Sequence, residues 1–104
     1  MGARKSFLRN LANDLVRSGR IETTEIRAKA VRPIVERLVT IAKRQNLASR
    51  RLLFKRVHNV SIVEKLHHDL GPRYAERAGG YLRIIKSGKS RKRDGTRLAA
   101  VEFV

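Results

Sequence analysis

The chain has no cysteine, two prolines, and only two tyrosines and three phenylalanines as aromatics among its 104 residues. Without cysteine, disulfides and thiolate metal sites are excluded. No apolar run approaches the ~20 residues that cross a bilayer. The opening MGARKSFLRN lacks the continuous apolar stretch of a secretory signal. Gly2 and Ser6 match a myristoylation start at two positions, a weak match beside Arg4 and Lys5. Carboxylates number nine, and none stand together as an acid–base couple. A catalytic reading has no residues to stand on, and no cofactor, small-molecule substrate or membrane partner is expected.

Positive charge is abundant instead. Twenty-five basic residues, seventeen of them arginine, give a formal net charge of +16 and run from Arg4 to Arg97. Such a field repels itself on folding, so an anionic partner is its natural counterpart. The hydrophobic fraction of 41% argues against a disordered tail. At this length one domain is expected, spanning residues 1–104, with a modest core.

Periodicity supplies the elements. Phe7, Leu8, Leu11, Leu15 and Val16 keep helical spacing from about Ser6, and Gly19 stops that helix. Arg20 to Thr24 reads as a strand. Ala28, Val31, Val35, Leu38, Ile41 and Ala42 mark a helix from Thr24 or Glu25 to Arg44, with a kink or late start at Pro33. Asn46 caps a third helix over 47–57. Ser61 and Glu64 form a capping box for a fourth over 62–70, which Gly71-Pro72 ends. Residues 81–86 and 98–104 are strands, joined by a basic hairpin loop at 87–96. The expectation is an α+β fold: a small three-stranded mixed sheet against about four helices, with a C-terminal hairpin.

Several motifs dissolve on inspection. KSGKS at 86–90 resembles the end of a phosphate-binding loop, but Arg83 stands where that loop needs glycine. His67, His68 and Asp69 are adjacent, and neighbours on a helix point about 100° apart, so they do not converge on a metal. Asn59-Val60-Ser61 is formally a glycosylation sequon without secretory context.

What remains is clustered cation. Arg4, Lys5 and Arg9 form one group, Arg50 and Arg51 a second, and Lys89, Arg91, Lys92 and Arg93 a third. The fourth lies in GPRYAERAGGYLRIIK (residues 71–86), where Arg73, Arg77, Arg83 and Lys86 accompany Gly79, Gly80 and Tyr81 at a helix-to-sheet junction. Glycine lets a backbone approach a partner closely, and arginine offers a planar fork to phosphate. Tyr74 and Tyr81 are each as well suited to a core as to stacking on unpaired bases. Isolated cations such as Arg37 and Lys65 read as solvated helix faces. The cations spread over helices, junction and loop, with no single basic helix and no dimerising heptad. That distribution suits an enveloping RNA better than one DNA groove, and no homo-oligomer is expected.

At this point the sequence resembles bacterial-type ribosomal protein seventeen of the large subunit. The matches are Leu8-Arg9-Asn10-Leu11-Ala12, Leu15-Val16-Arg17, Ile21-Glu22-Thr23-Thr24, Ala28-Lys29 with Glu36, Leu38 and Val39, and Ala48-Ser49-Arg50-Arg51-Leu52. The longest is Leu70 to Tyr74 followed by Arg77 to Ile84. The resemblance implies an α+β fold, a place on large-subunit rRNA near the polypeptide exit side, and contacts with neighbouring ribosomal proteins. It implies a cytoplasmic ribosome, or one in an organelle matrix. Family members usually begin with an extra basic arm ahead of the first helix. Here that arm is expected to be absent or shortened, so its contacts do not carry over.

Overall fold

A computed structural model describes the backbone of residues 2–90 and 95–104, with side chains over 7–88 and 95–104. The elements are α1 (Gly2–Ser18), β1 (Arg20–Thr24), α2 (Glu25–Ala42), α3 (Leu47–Val57) and α4 (Val60–Lys65). A π-helical turn (Leu66–Leu70), a last helical turn α5 (Gly71–Arg73), and strands β2 (Leu82–Ser90) and β3 (Arg97–Phe103) complete the chain.

Local chemistry sets these boundaries. Gly19, at φ +83°, takes the left-handed conformation that closes α1, and its N–H bonds Leu15 O at 2.8 Å. Thr24 Oγ1 accepts the Arg27 N–H at 3.3 Å and opens α2. Asn46 and Ser49 cap α3 reciprocally: Asn46 Oδ1 accepts the Ser49 N–H at 2.7 Å while Ser49 Oγ accepts the Asn46 N–H at 3.2 Å. The capping box expected at Ser61 and Glu64 is not used. Asn59 caps α4 instead, its Oδ1 accepting the Ile62 N–H at 3.2 Å and the Ser61 hydroxyl at 2.8 Å.

At Pro33 the expected single helix is present without a late start, and at Pro72 the expected stop is corrected. Helix α2 starts at Glu25 and runs unbroken through Pro33. Pro33 and Lys29, one turn back, are both exposed, so water can satisfy the carbonyl that proline leaves without a donor. Gly71-Pro72 does not end the fourth helical stretch either. The turn widens at 66–70, with the Gly71 N–H on Leu66 O, and the chain stays helical to Arg73. Pro72 follows directly, and the His67 carbonyl one widened turn back accepts from Gln45 Nε2 at 2.6 Å instead.

The sheet order is β1-β3-β2. The α+β class and the C-terminal hairpin are as expected, but both pairings are antiparallel, so the sheet is not mixed. Strand β3 is central, with Val101 opposite Ile21 on one side and Ile84 on the other. Strand β2 outruns the expected end at Lys86, because the register shifts between Lys86 and Ser90 and pairing resumes at Ser90–Arg97. One apolar cluster joins the sheet to the helices through Leu15, Val31, Val35, Leu53, Leu66, Tyr81 and Val101.

Candidate nucleic-acid interface

The junction at 71–86 turns out to be bound to the body of the protein. Gly71 packs against the end of α2 so closely that a Cβ there would lie 2.7 Å from the Ala42 carbonyl oxygen. The Glu36 carboxylate accepts the Gly80 N–H at 3.2 Å and the Leu82 N–H at 3.1 Å. Lys43 Nζ donates to the Arg77 carbonyl and to the Tyr81 hydroxyl. The Tyr74 hydroxyl donates to the carbonyl of Val104. Tyr81 is only 1% exposed, so its expected place among RNA contacts is withdrawn: the ring is core. Burial would raise the pKa of its phenol, but hydrogen bonds with Lys43 and Thr40 outweigh that and lower it. Gly80, at φ +65°, serves the turn into β2.

The junction cations also have internal partners. Arg73 Nη2 lies 2.9 Å from both Asp69 carboxylate oxygens. Arg77 Nε donates to Gly79 O at 3.2 Å. On the sheet's outer face Glu102 is held between Arg83 at 3.0 Å and Arg20 at 3.4 Å. Lys86 sits 3.7 Å from Glu25. These side chains remain exposed, but each must share or surrender a partner to reach a phosphate. Arg50 is likewise paired, with Glu64.

A different face carries uncommitted charge. Helices α1, α2 and α3 converge on a groove of about 440 Å³, floored by Ala12, Leu38 and Val57 and bounded by Leu8, Pro33 and Ile34. Arg9 from α1, Arg37 from α2, and Lys55 and Arg56 from α3 stand around it. None of the four has an ion pair or side-chain hydrogen bond among the described residues, and no carboxylate lines the groove. Asn13, nine-tenths buried, completes the lining, and its Oδ1 has no hydrogen-bond partner. An orphaned buried acceptor costs on the order of 1–3 kcal/mol. A second groove between α3 and α4 is edged by Arg51, Lys55 and the exposed apolar side chains of Leu47, Phe54 and Val60.

Among the described residues no group of three or more His, Asp or Glu could hold a metal ion. No helix there is long and apolar enough to cross a membrane.

Comparison with known proteins identifies the lineage of this basic α+β body. Residues 7–104 match the family model described as ribosomal protein L17. The chain belongs to the ribosomal protein L17 family. It is 50% identical over 101 residues to large ribosomal subunit protein bL17 of Clostridioides difficile, covering 97% of this chain and 88% of that protein. The bL17 of Gemmatimonas aurantiaca is 48% identical over 101 residues, covering 97% of this chain and 85% of its own. That of Desulforamulus reducens is 48% identical over 103 residues, covering 99% and 91%.

Within this L17 fold, the sequence clusters divide. Arg9 joins the groove, and Arg51 stands free on the α3 surface. The side chains of Arg4, Lys5 and Lys89, and all of Arg91, Lys92 and Arg93, lie outside the described residues. Sequence reasoning missed Arg37, Lys55 and Arg56 as a site, and it set Arg37 aside as an isolated cation. The Pro33–Arg37 step on α2 puts Arg37 on the face of the groove wall, but no local signal joins it to Lys55 and Arg56 of α3.

Proposed function

We infer that this L17-family chain binds and organises large-subunit rRNA by neutralising phosphates on separate RNA segments. As a member of that family it is a structural protein of the large ribosomal subunit rather than an enzyme. Its working location is the bacterial cytoplasm, in the ribosome. The observation that carries the RNA reading is the convergence at one groove of four cations from three helices, unpaired among the described residues. Phosphate contact of this kind supplies most of the affinity and makes it steeply salt-dependent. Arg51, on the outer surface of α3, and the basic residues Arg4, Lys5, Lys89, Arg91, Lys92 and Arg93 add further phosphate contacts. Arg50, Arg73, Arg77, Arg83 and Lys86 are weaker contributors, because each already holds an internal partner. The helix–sheet body acts as a rigid spacer that fixes the distance between bound segments. The exposed apolar rim of α3 and α4 is available to a neighbouring ribosomal protein.

The test is binding to large-subunit rRNA across a salt series, with duplex DNA as competitor. The wild-type protein should prefer the rRNA and show a steep salt slope. Equal affinity for both nucleic acids would remove the case for a dedicated rRNA site.

A further inference from the structure

The groove between α1, α2 and α3 is more than a set of phosphate contacts. A surface built only for phosphates needs charge and solvent access; an apolar floor and a buried amide add nothing to that. Here the cations stand around a concavity whose lining includes Leu8, Ile34 and Leu38, with the unpartnered Asn13 amide set among them. The volume of about 440 Å³ falls within the roughly 300–1,000 Å³ typical of pockets that enclose a small molecule.

We propose that this groove receives one unstacked base of the rRNA, projected from a loop or bulge, with its flanking phosphates on Arg9, Arg37 and Arg56. The proposal rests on the rRNA-binding reading and names the ligand of that surface. Bases extruded from single-stranded RNA are recognised through apolar or planar contact and hydrogen bonds to their edges. Arginine guanidinium planes can supply the stacking that aromatics supply elsewhere. The Asn13 amide can rotate half a turn to offer either a donor or an acceptor. Its Oδ1 is closed to solvent in the free protein, so a base edge would meet the outward end of the amide. Charge complementarity selects the occupant: with no carboxylate in the lining, a basic or neutral peptide gains nothing from the cations.

Asn13→Leu tests this directly, because it removes the amide, fills part of the groove and leaves the charge unchanged. The complete chain, bound to large-subunit rRNA, is probed with base-modifying reagents and by titration at several salt concentrations. The wild type should protect at least one unpaired base. Asn13→Leu should lose that protection and bind about tenfold more weakly, with the salt slope unchanged. Ile34→Trp, at a half-exposed position on the groove wall, serves as the second variant should Asn13→Leu fold poorly, and it should give the same loss. Full protection and unaltered affinity in a folded variant would overturn the pocket while leaving the rRNA reading intact. A flat salt slope in the wild type would instead remove the rRNA reading itself. A photo-crosslinker at Ile34 that captures a ribosomal protein rather than RNA in assembled subunits would also overturn the pocket.

Discussion

The junction at residues 71–86 and the three-helix groove both gather arginine and lysine and use them in opposite ways. In the junction, Tyr81 is core, Gly71 is a packing surface, and Arg73 and Arg77, though exposed, bind neighbouring oxygens of their own chain. In the groove, Arg9, Arg37, Lys55 and Arg56 bind nothing of their own among the described residues. Local density of cations therefore does not report which donors are free. What distinguishes the two regions is whether a carboxylate or carbonyl already occupies each donor.

Breaking the junction should cost fold stability far more than it costs electrostatic binding. The largest effect is expected from Tyr81→Ala, which empties a fully buried aromatic position and should lower unfolding free energy by about 3–5 kcal/mol in urea titration. Glu36→Ala should follow at roughly 1–3 kcal/mol, because it strips the acceptor from the Gly80 and Leu82 N–H groups. A Glu36→Ala protein as stable as the wild type would show that water replaces the carboxylate at no cost and that the junction is less firmly held than its bonds suggest.

The smallest effect concerns pH. Burial, then the nearby charges of His68 and Arg50, lower the pKa of His67 below 6.5. The unfolded chain thus takes up this proton first, so stability is unaffected well above pH 6.5 and declines as pH falls through it. His67→Gln should shallow the decline between about pH 7 and 5. A variant with an identical pH profile would assign the acid sensitivity to other groups.

Much of the fold was legible in the sequence, because apolar spacing dictates which face of each helix is buried. The stripe from Ala28 to Ala42 reappears as the buried face of α2. Gly19 and Asn46 act where their conformational and capping preferences place them. The failures have local causes. Gly71-Pro72 reads as a stop, yet a widened helical turn lets proline fall at a position that tolerates it. Tyr81 was ambiguous because a tyrosine beside arginines suits both a core and a stacking platform; only the positions of Lys43 and Thr40 resolve it. The groove was illegible for a deeper reason. Its four cations belong to three helices, spread from position 9 to position 56, and no local pattern reports that packing.

The central claim is that unpaired cations, not dense ones, hold the RNA. Two double variants measured side by side against large-subunit rRNA test it most directly: Arg9→Ala with Arg56→Ala in the groove, and Arg73→Ala with Arg77→Ala at the junction. The groove pair should flatten the salt slope by up to roughly two units, less where the RNA is single-stranded. The junction pair should change it by clearly less, with both proteins folded as the wild type. A larger change from the junction pair than from the groove pair would contradict the account.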